Sequence, residues 1–184
     1  LNYKSPLKMG FFGLYRKEKN LVFLLDAFKK ANFRVPVNLI VQGATTTKED
    51  SDSFKEFITK HKQDKNIVFW HKSLLGSEWE EALLSIDVLV MPYGAERYLY
   101  EPSAMLFTSI GFYKPVLVSS SINPEVLASF NIGEVIYSSN IESFAKQLER
   151  FVNYFDNNKE KYKDGLHGAN EEYSQNALIN SVLK

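Results

Sequence analysis

Short apolar runs alternate with longer stretches of helical period almost from one end of the chain to the other. KMGFFG (8–13), VNLIVQG (37–43), NIVFW (66–70), DVLVMPY (87–93), PVLVSS (115–120) and GEVIYS (133–138) are apolar and mostly non-alternating. A strand that buries one face alternates apolar and polar residues, whereas a parallel strand covered on both faces has no reason to. These runs are therefore read as parallel strands. Between them, NLVFLLDAFKKAN (20–32), KEDSDSFKEFITKHKQ (48–63), SEWEEALLSI (77–86), a run over 102–112 and NPEVLASF (123–130) have helical character. The stretch 141–165 reads as one long amphipathic helix, and 171–184 as a final helix packed on the outside. Repeated strand–helix units with right-handed crossovers give a Rossmann-like, three-layer α/β domain with a parallel sheet of about six strands.

Ligands of such sheets sit outside the carboxyl ends of the strands, so the polar residues after each strand are the candidates for chemistry. GLYRKEKN (13–20) places Arg16, Lys17 and Lys19 between a Gly-led turn at Gly13 and a helix N-terminus. Basic side chains beside aligned N–H groups suit phosphate, and the same residues also suit a solvated charged loop. WHKSLLGSEWEEAL (70–83) puts Trp70, His71 and Lys72 at the next tip. There Ser77 is expected to cap a helix, with Glu80 completing a capping box. His71 could border a ligand base or be an ordinary packed side chain. PYGAERYLYEPS (92–103) is the longest polar loop, with Glu96, Arg97 and Glu101 among Tyr93, Tyr98 and Tyr100. It could hold ligand or pack as a lid on another domain.

The last of these loops runs into EPSAM (101–105). Pro102 suits the first helical position, which would leave the N–H groups of Ser103 and Ala104 pointing out of the helix end. That end is a candidate anion site, with a plain cap by Glu101 or the Ser103 hydroxyl as the alternative.

Composition narrows the chemistry. The 184 residues fit one domain, 1–184, or one half of a larger enzyme, and 22 basic residues balance 22 acidic ones. Nothing in that balance suggests a nucleic-acid face. The chain has no cysteine, which excludes disulfides, thiol nucleophiles and thiolate metal sites. His61 and His167 offer no metal spacing to pair with His71. No Gly-x-Ser-x-Gly elbow, P-loop or His-Glu-x-x-His helix appears, and GxGxxG is missing after the first strand. Apolar runs too short for a bilayer and the lack of a leader point to the cytoplasm. The start at Leu1 points to a piece of a longer protein.

These segments, in this order, resemble the C-terminal, donor-binding half of a GT-B retaining glycosyltransferase of the group 1 type. The resemblance covers roughly residues 8 to 155, with 160–184 as a helical extension. FFGLYRKEKNLVFLLDAF resembles the family's opening strand and helix, where two basic side chains grip the donor diphosphate. Lys19 matches the lysine; Leu14 stands at the arginine position, with Arg16 two residues on. In NIVFWHKSLLGSEWEEALLSIDVLVMPY, Ile86, Asp87, Val88 and Pro92 fit the next block, and in EPSAMLFTSIGFYKPVLVSSSINPEVL, Lys114, Pro115 and Val116 and then Asn123, Pro124, Glu125 and Val126 fit the following one. Where many members carry two glutamates, this chain has Tyr100 and Thr108, with Glu101 one residue late, and Tyr113 replaces a usual glycine.

The resemblance implies a transferase that takes a sugar from a nucleotide-diphosphate sugar, with retention, to a glycan or lipid-linked acceptor in polysaccharide or cell-surface glycan synthesis. It implies donor contacts from Gly13, Arg16, Lys19, His71, Lys72, Tyr93, Glu101, Ser103, Ala104 and Met105, with no metal or other cofactor. A separate N-terminal domain would hold the acceptor, leaving the isolated domain inactive. The missing carboxylate and arginine keep a second class open, a lapsed nucleotide-binding or assembly module of the same fold. A nucleotide-sugar epimerase is a third.

Overall fold

The computed structural model describes residues 6–137 and 140–174. Six strands, β1 (Leu7–Phe11), β2 (Val37–Gln42), β3 (Ile67–Trp70), β4 (Val88–Met91), β5 (Val116–Ser119) and β6 (Gly133–Ile136), form one parallel sheet in the order β3-β2-β1-β4-β5-β6. Each expected strand is present, shortened by one to three residues, with β1 also starting one residue earlier than expected, and residue 138 of the last expectation lies outside the described residues. Central strands are buried on both faces: Val88, Leu89, Val90, Val116, Leu117 and Val118 are all 0% exposed. Such burial stabilises by about 1.5–3 kcal/mol per large apolar side chain, which is why these strands are apolar at successive positions.

The crossovers are α1 (Leu21–Lys30), α2 (Lys48–Lys60), α3 (Ser77–Leu84), α4 (Ala104–Gly111) and α5 (Pro124–Ser129), followed by α6 (Ile141–Asn153) and α7 (Phe155–Glu172). Successive strands run outward from β1 to β3 and then from β4 to β6, so the chain reverses direction between β1 and β4. At this switch point the loops following β1 and β4 diverge to opposite faces and leave a crevice at the carboxyl edge. Helix α1 packs on α6, with Phe23 stacked on Phe144 at 4.9 Å between ring centroids, and α4, on the opposite face, packs on α7.

Three expectations about helices are corrected. The stretch 141–165 is two helices, broken at Tyr154 (φ −110, ψ 12), whose carbonyl accepts the first N–H groups of α7 from Asn157 and Asn158. The buried stripe explains the break. Phe144, Leu148, Phe151 and Val152 line the α6 core face, whereas Tyr162, Leu166 and Ala169 bury a separate surface of α7. One straight helix would not serve both. Of the expected final helix 171–184, Glu171 and Glu172 end α7, and 175–184 lie outside the described residues. The N-cap of α3 is Gly76 (φ 54), not Ser77, and its carbonyl accepts from Trp79 and Glu80.

Two motif positions serve the opposite, amino edge of the sheet. Asp87 Oδ2 accepts the Lys8 N–H at 2.8 Å, and Lys114 Nζ donates to the Ile86 carbonyl at 2.7 Å. Burial pushes the Asp87 carboxyl up and the Lys114 amine down from their ordinary values. Both hold the starts of strands together, far from the carboxyl-edge crevice.

Candidate functional site

The crevice is built first by backbone. After β1 the chain does not turn away at once: Tyr15 N–H donates to the Ala44 carbonyl and Ala44 N–H to the Gly13 carbonyl, so Leu14 pairs with Ala44 in an extension of the β1–β2 ladder. Gly13 has φ +115, a region open to glycine and costly for other residues. Gln42, 1% exposed at the end of β2, accepts the Gly13 N–H at 2.8 Å and donates to the Lys72 carbonyl at 2.6 Å. One buried amide therefore ties the β1 turn to the β3 turn.

A short 3₁₀ turn, Lys17–Lys19, follows, and Asn20 in the left-handed region (φ 54) closes it and opens α1. The Asn20 amide donates to the Pro92 carbonyl at 3.0 Å, and Gly94 N–H donates to the Glu18 carbonyl at 2.8 Å, joining the β1 loop to the β4 loop. Lys19 is thereby turned inward and is only 7% exposed. A Cβ built on Gly13 would lie 3.0 Å from Lys19 Nζ and 3.9 Å from Met105 Sδ. The amine sits 5.1 Å from the Tyr93 ring centroid. It forms no ion pair among the described residues. Desolvation by burial, helped by the positive charge of Arg16 and Arg97, lowers its pKa from 10.5 to about 8.

The α4 N-terminus enters from the other side. Ser103 is its N-cap and Ala104 its first residue, so Pro102 does not occupy the first helical position as expected. The Ser103 hydroxyl accepts the Leu106 N–H at 3.4 Å, while its own N–H donates to Asn123 Oδ1 at 2.9 Å. The Ser103 carbonyl also accepts the Leu106 N–H at 2.9 Å and the Phe107 N–H at 3.2 Å, so the helix starts after Ser103, with the hydroxyl as a supporting cap. Ser103, 2% exposed, thus has its N–H already committed, contrary to the expectation that it points outward. The N–H groups without a partner inside α4 are those of Ala104, which is exposed, and Met105. Replacing Ser103 by alanine is expected to cost about 0.5–2 kcal/mol and to leave nucleotide affinity within about twofold. Melting with parallel calorimetry checks this, and lost affinity at unchanged stability would return the hydroxyl to the ligand.

Gly13, Lys19, Tyr93 and Met105 thus converge at the switch point, with Ala104 next to Met105 at the start of α4 and Arg16 near enough to depress the Lys19 amine. Arg16 itself is about half exposed and lies 3.7 Å from Glu18. His71 and Lys72 stand apart, two strands away. His71 Nε2 is 3.1 Å from Thr45 Oγ1 with its ring on Phe54, and Lys72 Nζ pairs with Glu78 at 3.0 Å. Glu101 is exposed, its N–H donating to the Arg97 carbonyl at 2.8 Å.

Gln42, Asn20 and the Asn123 amide were not singled out as site residues by sequence. Their signals were present: a glutamine closing an otherwise apolar strand, and asparagines directly before helix starts. A polar cleft of about 340 Å³ adjoins the cluster, lined by Asn20, Tyr93, Gly94, Ser119 and Ser120. A larger one of about 450 Å³ runs along α3 and is lined by Trp70, Lys72, Leu74, Ala82 and Ser85. Among the described residues no group of three or more acidic or histidine side chains could hold a metal ion, and no helix is long and apolar enough to cross a membrane.

The sequence profile of the family "Glycosyl transferases group 1" matches residues 1–164. The chain belongs to that family. No curated protein matches it by sequence. This group 1 glycosyltransferase domain superposes on Anabaena Alr3699/HepE in complex with UDP with a TM-score of 0.75 at 14% identity, covering 96% of this chain and 47% of that one. The same protein with UDP-glucose gives 0.72 at 13%, over 97% and 48%. The C-terminal domain of the group 1 protein LpcC from Francisella tularensis gives 0.68 at 20%, over 91% and 85%. The group 1 domain therefore spans about half the length of HepE and most of the LpcC domain. Its fold is that of the C-terminal domain of GT-B glycosyltransferases.

Proposed function

We propose that this domain binds the donor of a retaining glycosyltransferase, a nucleotide-diphosphate sugar, and presents it to a glycan or lipid-linked acceptor held by an N-terminal domain. The observation that carries the reading is Lys19, a buried amine that forms no ion pair among the described residues, with Glu18 acting on it only at longer range, set against Gly13 and the open N–H end of α4. A diphosphate at that point would restore the charge partner that burial has removed. Lys19 and the α4 dipole would also stabilise the charge developing on the leaving diphosphate, without a metal. Attack and departure on one face of the sugar would let the leaving phosphate take the acceptor's proton.

Gly13 would leave room for the phosphate, Arg16 would add charge, and the Ala104 and Met105 N–H groups would donate to it. His71 and Lys72 would border the nucleoside, linked to the phosphate turn through Gln42. Tyr93 would form the floor under Lys19, and Glu101 would lie on the sugar side. The setting is the cytoplasm, at the inner face of the membrane where a lipid-linked acceptor is used, in polysaccharide or cell-surface glycan assembly.

The GT-B donor domain is half of a cleft, so residues 1–184 alone are expected to bind UDP weakly and to transfer no sugar. Calorimetry with UDP and a turnover assay with UDP-glucose and added acceptors test this, and transfer by the fragment would contradict it.

A second reading has its own observation. Thr108, where many members carry the second carboxylate, donates its hydroxyl to the Ala104 carbonyl at 2.8 Å. That favours a lapsed domain that binds without catalysing. A longer protein that binds UDP-sugars and turns none over would establish that alternative.

A further inference from the structure

The loop after β4 carries a charged contact that the donor reading does not use. Arg97, on the 3₁₀ turn Glu96–Leu99, pairs through Nη2 with Glu18, and Glu18 also lies 3.7 Å from Arg16. One carboxylate therefore serves two guanidinium groups, next to a third cation, Lys19, whose amine feels both. Glu101 pulls on Arg97 only from the exposed side. The Glu18–Arg97 contact is also unsatisfied in its geometry. Both side chains are a little over a third exposed, yet Arg97 Nε is shielded and faces no acceptor, and Glu18 Oε1, the oxygen that meets Arg97 Nη2, makes no well-aligned hydrogen bond, an arrangement that leaves polar atoms poorly satisfied. The cluster has an excess of donors and a deficit of anion.

Position adds to this. Arg97 lies over Tyr98, with Nη2 3.0 Å from the Tyr98 hydroxyl and its Cζ 4.9 Å from that ring, and Tyr98 in turn packs on Tyr93, the ring beneath Lys19. The loop is tied to the rest of the domain by backbone bonds from Gly94 N–H to the Glu18 carbonyl and from Asn123 N–H to the Tyr98 carbonyl, and Glu101 N–H closes a turn on the Arg97 carbonyl. Between them, Leu99 and Tyr100 are exposed.

We propose that Glu18 is an internal stand-in for the ligand anion, and that a nucleotide diphosphate takes Arg97 from it, making Arg97 a donor ligand and drawing the loop 94–101 onto the crevice. The proposal rests on the donor reading above. A guanidinium fork suits a diphosphate better than a single carboxylate held off-axis. It also adds a cation from the β4 loop to Arg16 and Lys19 of the β1 turn. The exchange forms and breaks only ion pairs and hydrogen bonds.

The test is calorimetric titration of the chain with inorganic pyrophosphate and with UDP, in wild type, Arg97→Gln, Glu18→Gln and Lys19→Met. Arg97→Gln is expected to weaken both ligands by about tenfold or more. Glu18→Gln is expected to tighten them about fivefold, because a competing and repelling anion is gone. With Arg97→Gln already present, Glu18→Gln should give a clearly smaller gain, since there is no guanidinium left to release.

Hydrogen exchange gives a second measurement that needs no variant of Glu18. Amides of 94–101 should change protection on adding pyrophosphate in wild type and stay unchanged in Arg97→Gln. Arg97→Gln binding like wild type while Lys19→Met does not would overturn the proposal and leave the donor site standing. Unchanged or weaker binding by folded Glu18→Gln would overturn it as well. Absence of saturable binding in wild type would remove the donor reading and this proposal with it.

Discussion

Replacing Lys19 by methionine is expected to raise the melting temperature while removing most of the nucleotide affinity. The two effects have one origin. Lys19 is 7% exposed, and burial first, then the positive charge of Arg16, brings its amine from 10.5 to about 8. The unfolded chain therefore binds more protons than the folded one between pH 8 and 10.5, and stability rises with pH across that window. Below pH 8 the penalty of keeping the charge is present in full, on the order of 3 kcal/mol. Methionine keeps the stem that packs near Gly13 and Tyr93 and discards that penalty, so the gain is largest near neutral pH and fades toward pH 10.5.

The affinity change has the opposite sign. A charge-assisted contact is worth about 1.5–3 kcal/mol, so the variant should bind about tenfold to a hundredfold more weakly. Wild-type affinity for UDP-glucose should also fall above pH 8, because binding then requires the amine to take up a proton. Melting curves at neutral and alkaline pH, with calorimetry on both proteins, check these outcomes together. A melting temperature that drops in Lys19→Met, with binding unchanged, would make Lys19 a structural residue and remove the main support for the donor site.

The strands were legible because β1 to β6 are short, apolar and non-alternating, which parallel strands buried on both faces require. Lys19 was legible for a related reason: a basic residue between the first strand and the first helix of a doubly wound sheet lies at the carboxyl edge whatever the details. What local patterns did not decide was competition between neighbours for the same role. Pro102 and Ser103 both suit a helix start, and Ser103 takes it: its carbonyl accepts the Leu106 and Phe107 N–H groups and its hydroxyl adds a longer contact to Leu106 N–H. Ser77 and Gly76 compete likewise, and the glycine adopts a backbone the turn needs. The break at Tyr154 depends on which surface each half of the stripe buries, a tertiary fact absent from the helical period of 141–165. Gln42 and Asn123 act through partners 29 and 20 residues away, and spacing along the chain carries no record of such pairs. Arg97 was visible as a charge in a polar loop, but its partner Glu18 lies far back in the sequence.

Gly13 is a position where a single methyl group should harm stability and binding together. Its φ of +115 lies in a region where a side chain strains the backbone, at a cost of about 1–3 kcal/mol, and its backbone cannot relax freely. The N–H is held by Gln42 and the carbonyl by Ala44, so a shift in φ would loosen the tie between the β1 and β3 turns. The new Cβ would also stand 3.0 Å from Lys19 Nζ, on the side where Met105 Sδ is 3.9 Å away. That is the space assigned to phosphate. Gly13→Ala should therefore lower the melting temperature by several degrees, roughly 2–4 °C per kcal/mol for a domain of this size, and weaken UDP by at least about tenfold through displacement of the amine. The double variant with Lys19→Met separates the two effects. The backbone cost should persist in full, whereas the affinity losses should fall short of additive, because both changes act on one contact. Denaturant unfolding and calorimetry on the two single variants and the double supply the cycle. Full affinity in Gly13→Ala alongside the expected loss of stability would confine Gly13 to shaping the turn, and would move the phosphate away from the space between Lys19 and Met105.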